Sequence, residues 1–259
     1  MENILELKNV DYVYHTIEGE TPALENISFS LKQGEFIAIV GPSGCGKSTL
    51  LSLISGLLSP ENGTIQINGK DVKNSTTNIG YMLQHDELFE WRNIYHNILL
   101  GLEVQHMVTT RTRQKALDLL GNYGLGSFMT ARPSELSGGM RQRVALIRTL
   151  VLDPEILLLD EPFSALDYQT RLHVSDDIGQ IIRKEGKSAL LVTHDLSEAI
   201  SLADRIIILT KRPATILQTI PMIFQLEHDT PLNRRNASEF KTYFNLIWKE
   251  LNNHDSDVY

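Results

Sequence analysis

Phe36-Ile37-Ala38-Ile39-Val40-Gly41-Pro42-Ser43-Gly44-Cys45-Gly46-Lys47-Ser48-Thr49 is the stretch from which the fold is read. Its first five residues are continuously apolar, as in a strand buried on both faces. Leu50, Leu53, Ile54 and Leu57 follow at helical spacing. Between strand and helix lies Gly-x-x-x-x-Gly-Lys-Ser, a phosphate-cradling pattern. Its glycines let backbone N–H groups turn inward around phosphate oxygens, and the helix N-terminus adds a positive dipole. The pattern assigns Lys47 to the β- and γ-phosphates of a nucleoside triphosphate and the Ser48 hydroxyl to Mg²⁺. Gly41, Ser43, Gly44, Cys45, Gly46 and Thr49 complete the cradle. Cys45 reads either as a small tolerated residue or as a point where a thiol reagent blocks nucleotide binding.

Three more continuously apolar runs, Ile156–Leu159, Ala189–Val192 and Ile206–Leu209, alternate with amphipathic stretches. That order predicts an α/β fold with a parallel sheet covered by helices. Ahead of it, Ile4–Leu7, Ile27–Leu31 and Thr64–Ile67 alternate apolar with polar residues, which predicts half-buried antiparallel strands. Asn68-Gly69 marks a hairpin turn. From about residue 86 to 150 helical patterning takes over, which predicts an inserted helical subdomain. A nucleotide-binding domain is therefore expected over residues 1–221, and a tail over 222–259. In the tail Glu227–Pro231 reads as a linker. Phe240, Tyr243, Phe244, Ile247, Trp248 and Leu251 line one face of a helix, either packed on the body or offered to a partner.

Composition narrows the function classes. The 259 residues carry 24 Lys+Arg against 32 Asp+Glu, a formal net charge of -8, which argues against a nucleic-acid binder held by bulk positive charge. No run approaches the ~18 apolar residues of a membrane span, the N-terminus has no secretory pattern, and one cysteine cannot form an internal disulfide. These features predict a cytoplasmic chain.

Two further stretches carry chemistry. Ile156–Leu159 ends in Asp160-Glu161, where Asp160 suits Mg²⁺ and Glu161 suits polarising an attacking water. Leu136-Ser137-Gly138-Gly139 opens an amphipathic helix, which makes a second anion-binding helix terminus. A Ser cap with a flexible entry accounts for Ser137 but not for the paired glycines. With this motif the chain resembles the ATP-binding cassette (ABC) family, whose signature is Leu-Ser-Gly-Gly; Met140 stands where Gln is commonest.

The resemblance runs in order over roughly residues 3 to 220. It implies a P-loop NTPase core with an N-terminal antiparallel subdomain and an inserted helical one. Gln84 looks like the glutamine that contacts Mg²⁺ or the attacking water, and Ser164–Asp167 like the D-loop, six residues beyond Glu161, which places Asp167 among the nucleotide-binding residues. Thr193-His194-Asp195 looks like the switch whose histidine contacts the γ-phosphate. Tyr14 is similar in position to the aromatic that stacks on adenine, with Tyr12 an alternative two residues away. Ser137, Gly138 and Gly139 would complete the ATP site of a partner copy in a head-to-tail homodimer.

The implied reaction is ATP hydrolysis with Mg²⁺, Glu161 acting as general base and Lys47, Gln84 and His194 holding phosphate and water. Since the chain has no membrane span, the resemblance implies separate permease subunits, an external solute-binding protein, and a peripheral position on the cytoplasmic face of the membrane. Trp91-Arg92 and Lys211–Ala214 are similar to the nitrate/sulfonate/taurine importer group. Phe89 and Trp91 read equally as groove lining for a permease and as subdomain core. The rival is an ABC ATPase acting on ribosome or nucleic acid. The interval from Gln84 to Leu136 is too short for the coiled coil of DNA-repair members, and each motif occurs once. A regulatory module without turnover is disfavoured by intact Asp160, Glu161 and His194.

Overall fold

A computed structural model describes residues 2–17, 19–74 and 79–253. In chain order the elements are β1 (Asn3–Thr16), β2 (Gly19–Lys32), β3 (Phe36–Val40), α1 (Lys47–Ile54), β4 (Asn62–Ile67), β5 (Lys70–Asp71), β6 (Ile79–Met82), α2 (Ile94–Val104) and α3 (Thr110–Asn122). Then come α4 (Gly138–Leu150), β7 (Ile156–Asp160), α5 (Tyr168–Lys184), β8 (Ser188–Val192), α6 (Leu196–Leu202), β9 (Arg205–Leu209), β10 (Ile216–Pro221), α7 (Pro231–Asn236) and α8 (Ser238–Asn253). They form two compact units, Met1–Thr77 with Gly179–Tyr259, and Asn78–Ile178. Among the described residues no helix is long and apolar enough to cross a membrane.

In the first unit the alternating stretches form an antiparallel sheet of order β2-β1-β4-β5, turning at Asn68-Gly69 as the sequence predicts. Leu5, Leu7, Ile27, Leu31, Ile65 and Ile67 point inward, and polar residues alternate with them. The continuous apolar runs pair differently: β3 lies parallel to both β8 and β9, with β10 antiparallel beside β9. All five side chains of β3 are at most 1% exposed, so burying both faces is what its uninterrupted apolar sequence is for. Helix α1 stops at Ile54 because Gly56 takes a left-handed φ of 77°. Leu57, expected on the helix's apolar face, therefore lies beyond the helix and is 72% exposed.

The tail is ordered against this unit. Helix α6 packs on β3 and β9, and α7 and α8 pack on α6. On α8, Ile247 is buried and Phe240, Tyr243, Phe244 and Leu251 are half-buried, whereas Trp248 departs from the packed face at 55% exposure. Residues 254–259 of the expected tail lie outside the described residues. The stretch read as a linker ends in a built helix start: Thr230 caps α7, and Pro231 fills its first turn. Buried Arg234 fixes that turn, bonding both carboxylate oxygens of Asp229 at 2.5 and 2.6 Å and the Ala203 carbonyl at 2.6 Å, with its guanidinium over the Phe224 ring.

The Arg234 hydrogen bonds hold the Asp229 carboxyl below the usual carboxylate range. A carboxyl lowered on folding stabilises fully above its unfolded pKa, near 3.9, and loses that contribution as pH falls through the lower folded value. The melting temperature of the unmodified chain should therefore drop more steeply below about pH 4 than that of Asp229→Asn. Thermal melts from pH 3 to 6 check this, and parallel curves would refute it. The effect is small because half of the Asp229 side chain faces water.

In the second unit β6 runs parallel to β7, α4 packs on β6, and α2, α3 and α4 pack together. Buried Asn97 on α2 holds the loop ahead of that helix. Its side-chain oxygen accepts from the Phe89 N–H at 2.8 Å, and its amide donates to the carbonyls of Phe89, Arg92 and Asn93, each at 3.1 Å. One side chain thus satisfies four backbone groups of a loop with no ladder of its own.

Candidate active site

In the first unit the phosphate loop and His194 leave adjacent parallel strands at their carboxyl ends. Ile39 of β3 is in register with Val192 of β8, and the Thr193 N–H bonds the Ile39 carbonyl at 3.3 Å. Ligands of open α/β sheets bind at this edge. Gly46, with φ 120°, hands the loop to α1, and a Cβ there would stand 2.9 Å from Leu24 Cδ2. Neither backbone nor space admits a larger residue. The Lys47 ammonium is buried and folded back on the loop, donating to the carbonyls of Gly41 at 2.9 Å and Pro42 at 3.0 Å. The Tyr14 hydroxyl is hydrogen-bonded to Thr49 Oγ1 at 2.9 Å, which ties the expected base-stacking ring to the loop's last residue. His194 is exposed.

In the second unit Gln84 and the acidic pair likewise leave the carboxyl ends of neighbouring parallel strands, Met82 pairing with Leu159. Asp160 ends β7 and accepts from the Tyr81 hydroxyl at 3.3 Å. Glu161 follows in left-handed backbone, φ 45°, an unfavourable conformation for a residue with a Cβ. Ser164 stabilises the turn by bonding the Glu161 carbonyl with its N–H and its hydroxyl, at 3.2 and 3.0 Å. Such strain concentrates at functional sites.

The signature stretch opens α4 as expected: Ser137 is the cap, accepting from the Met140 N–H at 3.3 Å. The second glycine has a packing reason that the sequence did not reveal. A Cβ on Gly139 would lie 2.6 Å from Val174 and 3.2 Å from Thr170, both on α5. Asp167 sits at the start of that same helix and accepts from the Thr170 N–H at 3.1 Å. The Thr170 hydroxyl, then its N–H, hold the Asp167 carboxyl below its ordinary value. The loop after Gln84 is bound to α4. Arg141 pairs with the Asp86 carboxylate at 3.0 Å, and Arg148 donates to the carbonyls of Asp86 and Glu87 at 2.6 and 2.7 Å. Desolvation lowers the Arg148 pKa, and the charges of Asp86 and Glu87 oppose that shift.

Comparison with known proteins bears directly on this arrangement. Residues 24–164 match the family model described as ABC transporter. An uncharacterized ABC transporter ATP-binding protein of Bacillus subtilis is 44% identical over 96% of both chains. The chain belongs to the ABC transporter family. A nitrate import ATP-binding protein of Synechocystis is 38% identical over 98% of this chain and 97% of its own. A solved dimeric ATP-binding cassette in a post-hydrolysis state, bound to ADP and Pi, is similar with a TM-score of 0.71 at 31% identity, covering 85% of this chain and 99% of that one. The activity of this ABC protein is accordingly that of an ATPase, on the α/β P-loop NTPase fold that the sequence predicts.

Three features of this ABC ATPase sharpen readings that the sequence left open. Cys45 is buried, and desolvation pushes its thiol above the ordinary value, offset only in part by Lys47 and Arg212. A buried protonated thiol is a poor target for thiol reagents, which favours the small tolerated residue. Trp91 is 71% exposed and stacks on Phe89 with ring centroids 4.4 Å apart, so it is not subdomain core. Arg212, quoted in the sequence only as part of a subgroup stretch, sets its guanidinium 5.8 Å from the centre of the Tyr14 ring, while Tyr12 meets that ring edge-on. No sequence pattern joins residues 14 and 212. They meet because the turn between β9 and β10 is clamped to β2, through Ala214 N–H to the Ala23 carbonyl and Glu25 N–H to the Ala214 carbonyl, both at 2.9 Å.

Proposed function

We propose that this chain is the ATP-hydrolysing subunit that energises solute import through separate membrane permease subunits, of the nitrate/sulfonate/taurine type. The observation that carries the reading is a full set of hydrolytic motifs on a chain that aligns nearly end to end with a nitrate import ATP-binding protein. In this reading Lys47 holds the β- and γ-phosphates and Tyr14 stacks on adenine, the loop residues Gly41, Ser43, Gly44, Cys45, Gly46 and Thr49 forming the cradle. Glu161 takes the proton of the attacking water, and His194 holds the γ-phosphate in line with it. Ser137, Gly138, Gly139 and Asp167 serve the nucleotide of a second copy in an ATP-bound homodimer.

The residues suited to Mg²⁺ are Ser48, Gln84 and Asp160, all hard oxygen donors with a single carboxylate among them. That set fits an ion held mainly by substrate phosphates and water rather than by a protein cage. Among the described residues no group of three or more His, Cys, Asp or Glu side chains is placed to hold a metal. When bound, Mg²⁺ neutralises charge on the phosphoryl oxygens.

Residues 1–221 form the ATPase domain in this reading, with the helical subdomain at about 86–150, and 222–259 a C-terminal linker and amphipathic helix. The permeases dock near Phe89 and Trp91, where exposed Trp91, stacked on half-buried Phe89 in a loop braced by Asn97, offers a rigid apolar contact. An external binding protein delivers the solute, and the chain sits at the cytoplasmic face of the membrane. Tagged chain purified from gently solubilised cells should carry integral membrane subunits in stoichiometric amount. Ribosomes or nucleic acid in their place would overturn the reading in favour of a non-transport ABC ATPase.

A further inference from the structure

The turn that presents His194 is built around a buried hydroxyl and a buried carboxylate. Thr193 follows β8, and its hydroxyl donates to Glu198 Oε2 at 2.7 Å while accepting from the Asp195 N–H at 3.0 Å. Thr193 and Glu198 are 2% and 4% exposed, whereas His194 between Thr193 and Asp195 is exposed. Asp195 caps α6, taking the N–H groups of Ser197 at 2.8 Å and Glu198 at 3.3 Å.

In an ordinary capping box the glutamate three residues into the helix would bond the cap residue's own N–H. Here the Thr193 hydroxyl is inserted between the two, so the Asp195 N–H bonds Thr193 and Thr193 bonds Glu198. The helix start is already capped by Asp195, so burying a second carboxylate adds little for α6 itself. What the pair does is fix the backbone on both sides of His194 from within. Thr193 is anchored below by its N–H on the Ile39 carbonyl, one residue before Val40 and the phosphate loop.

We infer that Glu198, acting through the Thr193 hydroxyl, is a positioning residue that sets where the His194 imidazole stands. The inference rests on the reading of His194 as the γ-phosphate contact. Thr193 and Glu198 are buried and bonded to each other while His194 is exposed, so their loss should change turnover and leave binding alone.

The test compares Thr193→Val, Thr193→Ser, Glu198→Leu, Glu198→Gln and His194→Ala in the full chain, by ATP affinity, turnover and melting temperature. Thr193→Val and Glu198→Leu should lower kcat about tenfold or more with ATP Kd within about twofold, since small misplacement of a catalytic group costs rate rather than ground-state binding. Thr193→Ser restores the hydroxyl and Glu198→Gln keeps an acceptor, so both should hold kcat within about threefold of the parent. In the His194→Ala background, Glu198→Leu should cost nothing further. Full turnover in both disrupted variants, with His194→Ala inactive, overturns the inference alone. Full turnover in His194→Ala overturns the reading beneath it. Loss of kcat and affinity together, tracking a fall in melting temperature, would assign the pair to folding only and also overturn the inference. If Glu198→Leu fails to fold, the near-isosteric Thr193→Val carries the test.

Discussion

Glu161→Gln is expected to bind ATP as the unmodified chain does, to lose turnover by roughly 10²–10⁴-fold, and to accumulate as an ATP-bound dimer. The substitution keeps size, shape and one acceptor oxygen, and removes the negative charge and with it the ability to take a proton. The turn itself survives, because Ser164 holds it through the Glu161 carbonyl, which is backbone and unchanged. The left-handed φ of 45° costs glutamine about what it costs glutamate, so the comparison isolates the carboxylate. Steady-state phosphate release, nucleotide affinity and size-exclusion chromatography with ATP give the three readouts. Normal turnover would remove Glu161 from the mechanism. Lost turnover together with lost affinity would point to damage of the loop rather than to missing base catalysis.

Lys47→Ala has the other large expected effect, and it falls on binding. The ammonium is buried in the loop and held by the carbonyls of Gly41 and Pro42, so its position is set before nucleotide arrives. Charge-assisted hydrogen bonds contribute about 1.5–3 kcal/mol each, and losing two on the phosphates predicts at least a ~100-fold weaker ATP Kd. Those carbonyls also lose a donor, so melting temperature must be measured beside affinity. A folded Lys47→Ala that binds ATP like the parent would contradict the phosphate-loop assignment. One that binds weakly with an unchanged melting temperature supports it.

Much of the fold is legible in sequence because burial on both faces leaves a mark that depends on no partner. Phe36–Val40, Ile156–Leu159, Ala189–Val192 and Ile206–Leu209 are each uninterrupted, and each is a parallel strand. The Asn68-Gly69 turn is legible for a similar reason, since its backbone requirement is local. Arg234 is not legible: its partners stand at 203 and 229, and an arginine in a polar tail normally means a solvated one. Nor is the packing of Gly139, which depends on how closely α5 approaches. Trp91 shows a different limit. Aromatics serve cores and interfaces alike, and only its exposure separates the two. For the site, residue types and spacing give the chemistry, but the hydroxyl inserted between Asp195 and Glu198 appears only in three dimensions.

The two arginines of α4 have a mechanical meaning. Arg141 and Arg148 bind the loop after Gln84 at two heights along one stiff rod. A thrust on that loop is borne by the rod as a torque instead of being absorbed by a supple link. Arg148 and Gly138 lie ten residues apart, roughly 15 Å at the helical rise. A swing of about 10° about the Arg148 end would carry Gly138 some 2–3 Å, more than a hydrogen bond tolerates. A push at the loop that swung α4 by that much would, in the dimer proposed above, break the contacts that Ser137 and its glycines offer to a second copy's nucleotide.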